Sequence, residues 1–310
     1  MRRFLPLLAV ILGCFPLAAQ DKPKRPRITG IDQVRIAVAD VDKSRQFYSQ
    51  LLGVRLKGGM CFDASRTCFT IGWGGGQRIE LEKISASETK NALAEIAFVT
   101  DDVEKMHRYL VAHGVTASGI SKHISPYDKQ GYDAHFEVRD PEGTPISFIQ
   151  QFAFPIDDPP PGAPFYVRII HAGFVVHDRV AEDRFYKDIL GFHLYWQGGR
   201  KDDETDWVNM QAPDGTDWIE YMLNVPDNAD KHTLGVMNHI ALGVPDIHAA
   251  EAQLRKNGWT GNEQPKIGRG GKWQLNLYDP DDTRVEFMEF TPTQKPCCSE
   301  YAGPHPGQHP

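Results

Sequence analysis

Val38–Val54 reads VADVDKSRQFYSQLLGV, and Val175–Phe192 reads VVHDRVAEDRFYKDILGF. Laid one on the other, Phe47-Tyr48 meets Phe185-Tyr186 and Gly53 meets Gly191. Two further pairs follow in the same order: AEIAFVTDDVEKMHRYLVAHGV (94–115) with NHIALGVPDIHAAEAQLRKNGW (238–259), and DPEGTPISFIQ (140–150) with DPDDTRVEFME (279–289). Three matched segments in one order mark an internal duplication. Between the copies lies PIDDPPPGAP, residues 155–164, whose prolines can continue neither a helix nor a central strand, so it reads as a stiff linker.

Each copy divides again into two similar halves. A short strand leads to a helix whose apolar residues recur at helical spacing and end at a glycine (Val103, Met106, Leu110, then Gly114; Ile247, Ala250, Leu254, then Gly258). Alternating strands follow, such as QRIELEKI (77–84) and DWIEYML (217–223). Strand, helix and three strands, four times over, is the predicted layout. It implies an α+β fold.

The 310 residues leave room for two domains, each with its own core. Net charge is −7 with no long basic run, which argues against nucleic acid or an anionic membrane surface as partner and leaves a small molecule. Residues 1–20, MRRFLPLLAVILGCFPLAAQ, combine two arginines, a short apolar run and a small-residue exit at Ala18-Ala19, the pattern of a secretory signal peptide. The run is too short to span a bilayer permanently. The expectation is an exported protein, periplasmic or extracellular and without stable membrane insertion. A lipoprotein anchored at Cys14 is the alternative, poorly served by Leu12.

In an oxidising compartment Cys61 and Cys68 can bridge a local hairpin, a structural staple rather than a catalytic device. Cys297 and Cys298 fall in the tail, residues 293–310, which has few apolar residues and is expected to be disordered.

One stretch poses a chemical question. In VMNHIALGV (236–244), a strand period puts Ile240, Leu242 and Val244 on one face and His239, Ala241 and Gly243 on the other. An imidazole beside two small side chains leaves room for a neighbour. His171 and Gly173 share a strand face in RIIHAGFVV in the same way, Glu220 is the only charge within WIEYML, and Glu286 interrupts an apolar run. Burying even one ionised carboxylate alone costs several kcal/mol. Two histidines and two carboxylates would be most cheaply explained by a divalent cation wherever the fold brings them together.

The repeats and these residues together resemble the vicinal oxygen chelate superfamily, which includes glyoxalase I, extradiol dioxygenases and bleomycin resistance proteins. The resemblance covers roughly Ile31–Phe152 and Tyr166–Pro292. It implies two tandem domains, 29–154 and 165–292, each a pair of βαβββ units curving into a mixed-sheet cup, in a monomer that is an internal pseudo-dimer or in a homodimer. It also implies His171, Glu220, His239 and Glu286 as ligands of one divalent transition metal (Ni, Co, Zn, Mn or Fe(II)). Glu289, on the opposite strand face from Glu286, is expected to be solvated or paired. In the first copy the matching positions hold Gln33, Glu80, Glu95 and Ser147, a degenerate site.

The half-units can pair in two ways. Pairing within a copy puts all four ligands in the second domain. Pairing between copies would join Gln33 and Glu80 to His239 and Glu286 as an alternative metal set. The first arrangement is favoured because one site then explains both histidines. Arg269, Lys272 and Trp273 (GRGGKWQLNL, 268–277) are candidates for substrate contact, and Trp207 and Trp218 are either pocket wall or core.

Within this superfamily the four-ligand set implies a glyoxalase-like lyase or isomerase. Glu220 or Glu286 would move a proton beside a carbonyl, through a metal-stabilised enediolate. The rival is Fe(II)-dependent extradiol ring cleavage, for which Asn276 stands where those enzymes usually carry a tyrosine. A third reading is a small-molecule binding or resistance protein.

Overall fold

The structure is a computed structural model and describes residues 23–53, 67–70, 76–84, 92–124, 132–150 and 167–308. The expected signal peptide (residues 1–20), Cys61 of the expected Cys61–Cys68 bridge and the expected linker (155–164) lie outside the described residues. Among the described residues, fifteen strands form two sheets. The first sheet holds β1 (Ile28–Val38), β2 (Thr67–Thr70), β3 (Arg78–Lys83), β4 (Leu93–Thr100), β5 (Ser121–Ile124), β6 (Tyr132–Arg139) and β7 (Pro145–Gln150). The second holds β8 (Arg168–Val175), β9 (His193–Gly198), β10 (Trp207–Gln211), β11 (Trp218–Met222), β12 (His239–Val244), β13 (Lys266–Ile267), β14 (Trp273–Tyr278) and β15 (Arg284–Glu289).

Sheet order is β2-β3-β1-β4-β7-β6-β5 in the first and β13-β14-β15-β12-β8-β11-β10-β9 in the second. In each, the leading strands of the two half-units run antiparallel at the centre, β1 against β4 and β8 against β12. The last strand of each half-unit then lies parallel to its own leading strand. Three half-units show the full strand, helix, three-strand order. The first shows β1, its helix, β2 and β3, with residues 54–66 outside the described set. Each sheet is built from the strands of one copy.

The helices are α1 (Val41–Gln46), α2 (Val103–Ala112), α3 (Arg179–Glu182), α4 (Lys231–Met237) and α5 (Ile247–Lys256). The helices α1 and α3 run on as π-turns over Phe47–Leu51 and Asp183–Ile189. The leading helix of every half-unit starts at an aspartate, Asp40, Asp102, Asp178 or Asp246, whose carboxylate accepts first-turn backbone N–H groups. The same cap four times is the duplication seen at atomic scale. No described helix is long and apolar enough to cross a membrane.

Ile240, Leu242 and Val244 sit in the main core, with Leu275, Leu277, Val285 and Phe287 of neighbouring strands. The opposite face of these strands is the inside of the cup. Trp273 shares the core face, not the cup face: it packs against that core and meets the His248 ring edge-on at 4.9 Å. This corrects its expected role in substrate contact. Strand period explains it, since Lys272, Gln274 and Asn276 take the other face.

The tail also departs from expectation. Residues 293–308 are ordered and cross the mouth of the second cup. At one lip, the backbone N–H groups of Thr293 and Gln294 donate to Gly271 O, and Cys297 N–H donates to Arg269 O at 2.9 Å. At the other, Trp196 donates its indole N–H to Cys297 O at 3.2 Å, and Ala302 N–H donates to Tyr195 O at 2.9 Å. The two lips are the far ends of the sheet, so the tail closes an open cup. Backbone pairing and Tyr301 hold it, in place of the apolar side chains that its composition lacks.

Candidate metal centre

His171 on β8, Glu220 on β11, His239 on β12 and Glu286 on β15 occupy four adjacent strands of one sheet. The sheet register aligns them: Gly173 faces both Glu220 and His239, and Ala241 faces both His171 and Glu286. His171 Nε2 and His239 Nε2 lie 3.1 Å apart. Glu220 Oε2 stands 3.3 Å from His239 Nε2 and 3.8 Å from His171 Nε2. Glu286 Oε2 stands 3.6 Å and 3.8 Å from the same two nitrogens. Gly173 makes the approach possible, since a Cβ there would lie 2.1 Å from the His239 ring.

Burial holds both imidazoles well below their ordinary pKa, hence neutral. His239 Nδ1 lies 2.9 Å from Met237 O, so it carries the proton and leaves Nε2 as an acceptor. Burial pushes the Glu286 carboxyl up to about 7, against the pull of Arg284. Glu220 is more open. With its amide nitrogen turned to the carboxylate, Asn209 donates to Glu220 Oε1 at 2.9 Å and accepts from Trp218 Nε1 at 3.1 Å. That leaves Glu220 Oε2 directed at the histidines. His171, Glu220 and His239 offer ligand atoms within 4.8 Å of one another, and Glu286 Oε2 comes within 3.8 Å of both histidines, an acceptor set of the kind that holds a cation.

Glu220 and Glu286 lie in the wall of a cavity of about 550 Å³, with the two histidines buried behind them. Trp196, Trp207, Trp218 and Tyr301 give it aromatic walls, and Lys266, Arg269, Lys272 and Arg284 line it with cations. Of the expected contact residues, Arg269 is tied to Asp202 and to Gly199 O, clasping the lips. Lys272 is buried against the faces of Trp218, Tyr195 and Tyr301, where burial lowers its pKa to about 7. It donates to Phe290 O at 2.9 Å and to the Tyr195 hydroxyl at 3.3 Å. Glu289 points away and accepts from Ile247 N–H at the start of α5. Asn209, Arg284 and Tyr301 were missed. Arg284 alone had a sequence signal, lying two residues before Glu286 and so on its face.

Gln33 and Glu80 do not join His239 and Glu286. They face Glu95 and Ser147 in the first cup, whose centre is filled by the Arg35 guanidinium. Arg35 pairs with Glu80 at 3.1 Å and with Glu95, while Gln33 donates to Glu80 and Ser147 to Glu95. Arg35 occupies the strand position that Gly173 holds in the second copy: each lies opposite the corresponding glutamate, Glu80 or Glu220. In the first cup an arginine sits between the glutamates, whereas in the second the equivalent position is a glycine and the only guanidinium near the cluster among the described residues, Arg284, comes from the end of β15 and reaches His239.

Comparison with known proteins agrees with this architecture. The profile of the Glyoxalase/Bleomycin resistance protein/Dioxygenase superfamily matches residues 30–148 and 168–287, and the chain belongs to that superfamily. It is 28% identical over 130 residues to a lactoylglutathione lyase of Haemophilus influenzae, covering 41% of this chain and 96% of that protein. It is 26% identical over 137 residues to a probable chloroplastic lactoylglutathione lyase of Arabidopsis thaliana, covering 42% of this chain and 38% of that one. The fold is similar to that of homoprotocatechuate 2,3-dioxygenase of Brevibacterium fuscum, with a TM-score of 0.64 at 20% identity over 91% of this chain and 75% of that one.

Proposed function

We propose that the second cup is a divalent-metal site held by His171, Glu220, His239 and Glu286, and that the protein is a lyase or isomerase acting on a small carbonyl or hydroxy-carbonyl compound. The convergence of four acceptor atoms, 3.1–3.8 Å from one another where measured to the histidines, carries this reading. A bound metal would supply Lewis-acid polarisation of two neighbouring substrate oxygens. The chain's own residues supply the rest. Glu220 is the proton carrier, since its Oε2 reaches the cavity while Asn209 fixes its other oxygen. Trp207 and Trp218, with Tyr301 of the tail above them, shield the reacting groups from water. The sequence likeness to two lactoylglutathione lyases supports the reaction class, whereas the likeness to the dioxygenase is one of fold. Residues 1–20 support an exported location, in which the substrate is a molecule met outside the cytoplasm.

Elemental analysis of the purified protein tests the reading. One divalent metal per chain is expected, lost in His239→Ala and Glu286→Ala and retained in Gln33→Ala. Full metal occupancy in both of the first two variants would overturn it. Nickel, cobalt or zinc at the site agrees with a lyase or isomerase, and iron with oxygen uptake on a catechol would replace that class with the dioxygenase.

A further inference from the structure

Arg284 reaches into the metal centre and donates from Nη2 to His239 Nε2 at 2.8 Å. That lone pair is the one a metal would take, so the bond and a metal on His239 exclude each other. The first cup shows what a permanent arginine looks like: Arg35 is gripped by two buried carboxylates, Glu80 and Glu95. Arg284 has no such grip. Among the described residues no carboxylate lies within ion-pair distance of it, and its Nε is buried without a partner. Of the other cations lining the cavity, Arg269 is paired with Asp202, Lys272 with Phe290 O and Tyr195, and Lys295 with Glu300, and among the described residues Arg284 alone donates to a histidine of the cluster. Beside it, Asn276 stands in register with Glu286, and its Oδ1 is also buried without a partner. Both residues line the cavity.

We infer that Arg284 is the carboxylate anchor of the substrate, released from His239 when metal binds, and that the substrate class is a small aromatic hydroxy acid. A planar guanidinium freed at the edge of the metal centre matches a carboxylate in a two-pronged pair. Asn276 Oδ1 accepts from the hydroxyl, and the tryptophan and tyrosine walls take the ring. This deepens the metal reading above and rests on it.

The test uses the full-length mature protein loaded with cobalt(II), whose visible spectrum reports ligand binding. The probes are mandelate and its neutral amide. Wild type is expected to bind mandelate at least about tenfold more tightly than mandelamide, on the scale of one charge-assisted pair. Arg284→Gln should lose that preference while mandelamide affinity stays the same, and Arg284→Lys should fall between. Cobalt affinity, measured separately, should be equal or higher in Arg284→Gln, because a competitor for His239 is gone. If cobalt does not bind to wild type, the metal reading fails and this one with it. If cobalt binds but wild type ignores mandelate, or Arg284→Gln keeps the preference, the anchor alone is overturned.

Discussion

Tyr48 donates its hydroxyl to Asp279 Oδ2 at 3.1 Å, a partner 231 residues further along the chain. The reverse bond exists too, since Tyr186 donates to Asp140 Oδ2 at 3.2 Å. Each Phe-Tyr of one copy therefore meets the Asp-Pro of the other, and the two repeated features of the duplication are two halves of one seam. Both tyrosines and both aspartates are buried. Tyr48→Phe or Tyr186→Phe should each destabilise the fold by about 1–2 kcal/mol, the usual effect of leaving a buried acceptor short of its donor. Urea unfolding measures it, and no change in the midpoint for either variant would mean that the seam is held by packing alone.

The same seam makes stability depend on pH. Burial, followed by the neighbouring Asp140, pushes the Glu182 carboxyl up to about 9, and burial pushes Asp140 up to about 6. Both carboxyls ionise more readily in the unfolded chain than in the fold, so the unfolded state binds fewer protons in between. Stability should be greatest below about pH 4 to 4.5 as far as these two groups are concerned, and should decline as pH rises, through 6 for Asp140 and toward 9 for Glu182. Glu182→Gln removes the larger contribution. It should flatten the fall in urea midpoint between pH 6 and 9, and a midpoint profile parallel to wild type would contradict the assignment.

Arg35 and Gly173 sit at equivalent strand positions and set the two cups apart. Gly173→Ala places a Cβ against the His239 ring, which must shift. Metal affinity should drop by at least about tenfold, since ligand geometry outside its preferred arrangement is penalised steeply. Arg35→Met leaves Glu80 and Glu95 buried without their cation and should destabilise the chain by about 3–5 kcal/mol. It should leave the metal content at one per chain. Loss of metal on Arg35→Met with the fold intact would show that the first cup contributes to the site after all.

The duplication was legible because it repeats in the sequence what the fold repeats in space: four capping aspartates, two Phe-Tyr pairs and two Asp-Pro turns. Strand period likewise places His171, Glu220, His239 and Glu286 on cup faces without any knowledge of pairing. What period cannot show is which strands become neighbours. Arg35 reaches Glu95 only because β1 and β4 lie side by side, and Asn209 reaches Glu220 only through the β10–β11 register. Trp273 was misplaced by one step of the same alternation. The tail was misread because composition measures apolar content, whereas residues 293–308 are held by backbone hydrogen bonds to the lips of a cup formed elsewhere.

Glu220 separates the reaction classes. A ring-cleaving dioxygenase must seat a catecholate and dioxygen together and is served by His171, His239 and Glu286 alone, whereas a lyase or isomerase needs a base beside the metal. Asn209 donates to Glu220 Oε1, which fixes the carboxylate with its second oxygen toward the cavity. Glu220→Gln should lower turnover of a hydroxy-carbonyl substrate by about 100-fold or more, the usual effect of removing a positioned base. Asn209→Ala should lower it less, by about tenfold, because the base survives but loses its orientation. Both reactions should proceed at the same rate under argon as in air. Catechol-dependent oxygen uptake that persists in Glu220→Gln would instead assign the carboxylate a structural part and the cup to oxygen chemistry.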